Sequence, residues 1–502
     1  MSEAYLLGVD SGLTVTKAVI FDLDGREIGV GRATVPQLFP MPGHVERDMD
    51  ALWLATAEAV RSAKDAAAIP GAQIAAIGIT GHGDGLYLLE EDGQPLGNAI
   101  LSLDSRAIDV VDDWEETDLD DRSLALTGQR PHPAAPSALL AWIKRYETDR
   151  YAKIRHVITC KDWLRYCLTG EIATDPTEAS ASFTNVRTQG YDPAVLSLFD
   201  LDDVHSALPK VLPVTAIAGT VSSSGARETG LAAGTPVVTG LHDVTATAVG
   251  MGCVNPGQIA LVAGTYSINE TLLSAPALDA RWLCRNGFRP GEWNAMAISP
   301  ASSANTEWVL HQFCRDALDL AEATGTNPFD HLQEEIAAAF ERDSRLIYHP
   351  FLFGSPYGDA AGGLIGLHGW HQRGDVLRAV FEGIAFNHRH HVDALRSIAK
   401  VSAARLAGGG AQNPLFAQLF ADALGLEIDV VDHDEAGALG AALAAGVGVG
   451  SYASIEEASA RTTRILNRYL PDPARHKSLT SAYRRYSKSI EQVAPLWPEL
   501  HE

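Results

Sequence analysis

A pattern of strand, tight turn and strand occurs twice in this chain, roughly half its length apart. The first copy is "YLLGVD", "SGLTVT" and "KAVIFD", followed by "REIGVGRATV". β-Branched runs broken by Gly and Asp predict antiparallel strands joined by tight turns. The second copy is "QIALVAGTYSINETLLS", Gln258 to Ser274, again strand, small-residue turn and strand, and it follows a helix of small residues, Thr245 to Gly252. A supersecondary pattern repeated at this spacing predicts two similar domains with a cleft between them. The length of 502 residues points the same way, because a single core stops growing at roughly 250 to 300 residues.

A helix near Asp48 to Asp65 and the apolar run "IAAIGIT", Ile74 to Thr80, follow the first meander. Alternating helix and strand after a meander predicts a mixed α/β sheet covered on both faces. Further strands are expected at "LIYHPFL", "ARLAGGG" and "EIDVVD", with helix elsewhere. No linker rich in Pro, Ser or charge interrupts the chain. The boundary is therefore set by the repeat, at the stretch "VVTGLHDVTATAVGMG", Val237 to Gly252, giving domains 1–246 and 247–502.

The formal charge is −24, from 39 Lys plus Arg against 63 Asp plus Glu. A polyphosphate backbone would be repelled over most of such a surface, so nucleic acid is not expected as a partner. A small anion remains open, since backbone N–H groups at turns and helix ends bind phosphate without a basic surface. The five cysteines are widely spread with no C-x-x-C pair, so neither disulfides nor zinc is expected and a reducing, cytoplasmic setting fits. "MSEAYLLGVDSG" does not read as a signal peptide. The most apolar late stretch, "GALGAALAAGVGVG", is well short of the roughly 20 residues of a membrane span, so no membrane association is expected.

Several turns offer chemistry. After Asp10, the residues Ser11, Gly12, Leu13 and Thr14 present N–H groups and hydroxyls suited to a phosphate or its metal, with Lys17 adding a point charge. Taken alone, this motif reads more readily as an ordinary hairpin turn, since D-x-G is common at turns. Gly264, Thr265 and Ser267 occupy the matching place in the second copy. Gly408, Gly409 and Gly410 run into a helix with Asn413 and Pro414 at its start, where N-caps and first-turn prolines belong. No Walker, G-x-G-x-x-G, protein-kinase or G-x-S-x-G pattern is present.

Among the carboxylates, Asp84 lies between glycines after a strand, its side chain expected in open space, and Asp104 with Arg106 stands near a strand end. Turns favour Asp in any case. Asp243 stands between an apolar strand and a small-residue helix, where it is either an N-cap or a general base. His388 and His391 are one helical turn apart in "NHRHH", with no third ligand evident; a partly exposed helix face is the expectation.

Together these motifs resemble the FGGY carbohydrate kinases, which have the actin-like (ribonuclease H-like) ATPase fold. The signature "GGLIGLHGWHQRGDVLRAVFE" carries the resemblance most strongly, through Gly362, Leu364, Gly366, Leu367, Asp375, Val376, Ala379, Val380, Phe381 and Glu382. "GVDSGLTVTKAVIFD", "PGHVERD", "GTYS" and "GGGAQNP" match other family blocks in order. The resemblance implies two actin-like domains flanking a central cleft, the first holding sugar and catalytic base, the second nucleotide. ATP and Mg2+ are the implied cofactors, and a small sugar or polyol the implied partner, with a homodimer among the assemblies expected.

Residue by residue, the resemblance implies Asp10 near Mg2+ and Ser11, Gly12, Thr14, Lys17, Gly264 and Thr265 at the ATP phosphates. It implies Gly409 and Asn413 at adenine and ribose, Asp243 as base, and His82, Asp84, Asp104 and Asp243 around the acceptor. Glycerol kinases carry Arg-Glu where this chain has Gly83 and Asp84, with a substrate-site Tyr near Ala134; D-xylulose kinases carry Met-His at that pair. "GHGDGLYLL", "LSLDSRA" and "CKDWLRYCLTGEIATDPTEAS" look most like the erythritol kinase and L-xylulose kinase branches. An acceptor of four or five carbons follows. One departure is Ala304, where relatives often keep a glycine near the nucleotide. The rival reading is a nucleotide-gated chaperone or filament subunit on the same fold, but only about ninety residues follow "GGGAQNP" and a filament needs no base at Asp243.

Overall fold

The computed structural model describes residues 4–501. The strands used below are β1 (Tyr5–Ser11), β2 (Val15–Phe21), β3 (Glu27–Thr34), β4 (Ile74–Gly81), β5 (Ile217–Thr220), β6 (Pro236–Val238), β7 (Gln258–Ala263), β8 (Ser267–Leu273), β9 (Leu283–Asn286), β10 (Trp293–Ser299), β11 (Ala403–Ala407), β12 (Glu427–Val431) and β13 (Ile465–Tyr469). The helices are α1 (Met49–Ala67), α2 (Cys160–Thr169), α3 (Asp243–Gly250), α4 (Ser303–Phe313), α5 (Arg373–Arg396), α6 (Pro414–Leu424) and α7 (Ala436–Gly448).

The duplicated pattern is a duplicated topology. In the first sheet the order is β3-β2-β1-β4-β6-β5. Its β1–β2 and β2–β3 pairs are antiparallel, β1–β4 and β4–β6 parallel, and β6–β5 antiparallel. The second sheet contains the run β10-β8-β7-β11-β12-β13. There β7–β8 is antiparallel, β7–β11 and β11–β12 parallel, and β12–β13 antiparallel. Parallel neighbours need crossover helices that cover both faces of a sheet, which is why β1, β4, β7 and β12 are almost wholly buried.

The chain folds as two compact units, and the division between them is not a single cut at 246/247. Residues up to Asn255 are joined in the first unit by Leu272–Ala295 and Glu435–Thr463; the second comprises Pro256–Thr271, Met296–Asp434 and Arg464–Glu502. The late return has a packing cause. Helix α7 is apolar on all sides, a pattern that requires burial, and it lies across β1, β4 and α3.

Side chains alternate across a strand. Leu7, Val9, Ile77 and Ile79 face the cluster containing α1 and α2, while Leu6 and Ala76 face the cluster containing α7. On the α7 face the strands carry Gly8 and Gly78, where an added Cβ would fall 1.9 Å from the carbonyl oxygens of Ala438 and Ala441. Helix and sheet meet backbone to backbone. Asp10, next in that parity, therefore emerges at the N-terminus of α7, against Gly437.

Two local expectations change. The strand before Asp243 is only Pro236–Val238, and α3 begins at Asp243 itself rather than at Thr245. Among the described residues no helix is long and apolar enough to cross a membrane.

Candidate active site

The β1–β2 turn is built from below. Gly12 N–H donates to Val15 O at 3.0 Å. Arg47, 1% exposed, donates from Nη1 to Gly12 O at 3.3 Å and from Nη2 to Leu13 O. A buried guanidinium that gathers the turn's carbonyls fixes its conformation and leaves the exposed Thr14 at the rim. The Ser11 hydroxyl, fully buried, pairs with Thr16 Oγ1 at 2.9 Å and is not presented outward.

Asp10 and Lys17 are cross-strand partners. Lys17 Nζ lies 2.7 Å from Glu435 Oε2, and Arg32 bonds the other Glu435 oxygen at 2.5 Å. Burial pushes the Asp10 carboxyl up to about 6; Lys17 pulls it down and Glu435 adds to the rise.

Asp243 opens α3, whose N-cap is His242. Val244 N–H lies 2.7 Å from Asp243 Oδ1 and 3.3 Å from His242 Nδ1. Burial, then the charge of Asp10, raises the Asp243 carboxyl to about 7, against the Val244 and Gly83 N–H groups, which favour its ionised form. A carboxyl poised near neutrality at a strand-to-helix junction has the basicity of a general base. The cap falls one residue earlier than Asp243, which is the first residue of α3 and has its Oδ1 against the Val244 N–H.

Asp84 does not project into open space. It sits at φ +59, only 17% of its side chain exposed, with Oδ1 2.8 Å from Arg285 Nη2 and Oδ2 3.8 Å from His132 Nε2. Burial alone would raise its pKa, but Arg285 with His132 and His242 more than offsets that, and the carboxyl ends below its usual range. Arg285, on β9 and 2% exposed, also donates from Nε to Gln129 Oε1 at 3.0 Å, and its Nη1 lies 3.2 Å from His242 Nε2. Gly83 leaves room for that imidazole: a Cβ there would fall 1.8 Å from His242 Nε2. Arg285 and Gln129 escape sequence reasoning, since neither stands in a motif.

His82 and Asp104 are engaged elsewhere. His82, 2% exposed, is held by Tyr87 Oη at 2.9 Å, and burial pushes its pKa down to about 3. Asp104 accepts from Val45 N–H, Arg106 N–H and two nitrogens of the Arg106 guanidinium, which also bonds Glu46. It anchors Arg106. Behind the site, Lys161 bridges Asp162 and Asp175 at 2.7 and 2.8 Å, Arg165 joins Asp162 at 2.9 Å, and Thr177 Oγ1 accepts the His242 N–H at 2.8 Å.

In the second unit, the β7–β8 turn carries Gly264 and the exposed Thr265. Ser303, first residue of α4, holds it: its N–H donates to Gly264 O at 2.9 Å and its hydroxyl to Ala263 O at 2.7 Å. Ala304 directly follows. Gly409 is exposed, with open space where its Cβ would be. Asn413 caps α6 as expected, Oδ1 accepting from Leu415 and Phe416 N–H groups.

His388 and His391 are buried, not on a partly exposed face. His388 pairs with Asn269 Oδ1 at 2.7 Å and Ser302 Oγ at 3.4 Å, and His391 with Ser299 Oγ at 3.0 Å. These polar partners explain the burial: the pair ties β8 to the segment before α4.

No group of three or more His, Cys, Asp or Glu among the described residues forms a complete metal site. Mg2+ does not require one, since it keeps several waters and takes one or two carboxylates plus phosphate oxygens. Asp10 fits that part, a desolvated carboxyl with a raised pKa, set against Gly437 at the start of α7.

Known proteins match along almost the whole chain. The models of the FGGY family of carbohydrate kinases match residues 5–250 (N-terminal domain) and 259–449 (C-terminal domain). The L-xylulose/3-keto-L-gulonate kinase of Escherichia coli (strain K12) is 34% identical over 97% of this chain and 96% of its own. A probable L-xylulose kinase of Pasteurella multocida is 31% identical over 96% and 98%. The solved xylulose kinase of Lactobacillus acidophilus superposes with a TM-score of 0.90 over 99% of this chain and 100% of its own, at 23% identity.

Proposed function

Because the chain belongs to the FGGY family of carbohydrate kinases, we propose that it transfers the γ-phosphate of ATP to a hydroxyl of a small neutral ketose or polyol, of the L-xylulose type. The Asp243 carboxyl, raised to about 7 beside the Asp84–Arg285 pair, carries this reading. Asp243 takes the acceptor hydroxyl's proton as the new O–P bond forms and the bond from the γ-phosphorus to ADP breaks. Asp84 orients the acceptor's other hydroxyls. The N–H groups of the Gly12–Thr14 and Gly264–Thr265 turns hold phosphates, Gly409 gives an adenine close approach, and Asn413 lies at the ribose. Asp10 would hold Mg2+, which supplies charge neutralisation on the phosphates.

Charge supports a neutral acceptor. Arg285 and Asp84 already match each other, and burial and Arg285 keep His242 neutral, with a pKa of about 3. A polyol adds only hydrogen bonds to such a cluster, whereas a sugar acid would bring an unmatched charge. The names of the relatives favour a pentulose over erythritol.

A coupled ADP-release screen over tetritols, pentitols, pentuloses of both hands and hexulosonates tests this. L-Xylulose is expected to turn over fastest and the acids at least tenfold slower in kcat/KM. ATP consumption stimulated by peptide or by self-assembly, and by no sugar, would overturn the kinase reading.

A further inference from the structure

A chain of hydrogen bonds behind Asp84 fixes which of its oxygens is left over. Gln129, 5% exposed, donates from Nε2 to Ser180 O at 2.7 Å and to Ala181 O at 2.9 Å. With two carbonyls on the donor end of the amide, Oε1 is the end that faces the guanidinium, where it accepts from Arg285 Nε at 3.0 Å. Arg285 Nη1 lies 3.2 Å from His242 Nε2, and Nη2 donates to Asp84 Oδ1 at 2.8 Å. All three guanidinium nitrogens thus have partners on the protein and the side chain is 2% exposed, so Arg285 is set to hold Asp84 rather than to meet a ligand. Asp84 itself adopts φ +59, a conformation uncommon outside glycine that persists where the surroundings hold it.

Oδ2 is the oxygen this chain leaves over. It faces His132 Nε2 at 3.8 Å, beyond hydrogen-bond reach, and the His132 side chain is 38% exposed. Two groups at that separation can both lie about 2.7–3.0 Å from one oxygen placed between them. Burial opposes ionisation of Asp84, but Arg285 with His132 and His242 more than offsets it, so the carboxylate is charged and only accepts. A hydroxyl in the gap gives its one proton to Oδ2 and turns a lone pair to an N–H of His132. A ketone has no proton to give, and a carboxylate would set charge against charge.

We propose that Asp84 Oδ2 and His132 Nε2 together read one hydroxyl of the acceptor, as donor and acceptor at once, and that Arg285, held by Gln129, is the positioning residue that keeps Oδ2 turned to it. This pairing rests on the sugar-kinase reading of the site and adds the contact that selects a hydroxyl over a ketone or an acid at one place. His132 touches the acceptor, whereas Arg285 and Gln129 act through Asp84.

Steady-state kinetics with ATP and a set of L-xylulose analogues, each lacking one hydroxyl, test the pairing. Among the analogues that still turn over, one should lose about 10- to 100-fold in kcat/KM, the worth of a hydrogen bond to a charged group. In His132→Phe that loss should shrink about threefold or more for the same analogue and for no other, while His132→Gln, which keeps an N–H donor, should restore it. Arg285→Lys keeps the charge but not the fork that spans Asp84, His242 and Gln129, and should shrink the same loss. KM for ATP should stay within about threefold of wild type in each variant. An equal loss across the analogues, or a selective loss left unchanged in His132→Phe, overturns the pairing and leaves the sugar-kinase reading standing. A loss left unchanged in Arg285→Lys overturns the positioning role. Failure of the wild-type enzyme to phosphorylate any ketose or polyol sinks the kinase reading itself.

Discussion

Asp243→Asn is expected to cost activity and gain stability, and the two effects have one cause. The amide keeps an oxygen to accept the Val244 and Gly83 N–H groups, so the helix start stays intact. It removes a carboxyl whose pKa rises from 3.8 to about 7 on folding through burial and the charge of Asp10. Such a shift corresponds to about 4 kcal/mol for a group sealed from water. With 32% of the Asp243 side chain exposed, screening reduces this to about 1–2 kcal/mol. The sign follows from linkage: below 3.8 the group is protonated in both states and costs nothing, and above about 7 it is charged in both and the folded state bears the full cost. The variant should therefore be the more stable protein at about pH 8, and its advantage should shrink by about a third, roughly 0.3–0.6 kcal/mol, at about pH 6. Urea unfolding at the two pH values, without nucleotide or Mg2+, measures this. Sugar phosphorylation should fall by about 100- to 10,000-fold, with ATP binding held within a few fold. A variant no more stable than wild type at the higher pH would refute the electrostatic account of the site, and unchanged turnover would remove Asp243 from the reaction.

Gly83→Ala places a methyl where His242 Nε2 stands; overpacking of about 1–3 kcal/mol and a loss of sugar turnover that spares ATP binding are expected in melting and kinetic assays. Arg47→Met strips the buried carbonyls of Gly12 and Leu13 of their donor, and calorimetry should show a loss of about 2–4 kcal/mol with a raised KM for ATP. Lys161→Met leaves Asp162 and Asp175 without their shared cation, a loss of about 3–5 kcal/mol in denaturant titration. His388→Ala unties Asn269 from Ser302; steady-state kinetics should show KM rising for ATP and not for the sugar.

What is legible in the sequence is local or periodic. The β1–β2 hairpin and its copy at β7–β8 announce themselves through alternation and turn residues, and Asn413 through the cap pattern ahead of Pro414. Asp243 stands out because an acid between an apolar run and small helical residues has no packing reason to be there. What stays hidden depends on segments that meet only in three dimensions. Asp84 reads as a solvated turn residue because its partner Arg285 is 201 positions away. His388 and His391 read as a polar helix face because the serines and asparagine that satisfy them lie on other elements. The returns of Leu272–Ala295 and Glu435–Thr463 to the first unit leave no mark in the linear order, because a helix such as α7 is placed by what it packs against, here β1, β4 and α3.

The stretch Leu241-His242-Asp243 shows where the divide falls. Adjacency in sequence puts an imidazole beside a carboxylate, and their approach to 3.1 Å needs nothing but the bend into α3. Adjacency cannot choose the tautomer, because a neutral imidazole offers a donor on either nitrogen with nearly equal ease. Arg285, 43 residues on, bears on that choice through its Nη1, 3.2 Å from His242 Nε2, from a strand that packs with the first unit. That arginine bears no mark in its own neighbourhood, "LCRNG". Its role is specified by the fold, through the one property of arginine that matters there, that it donates and never accepts.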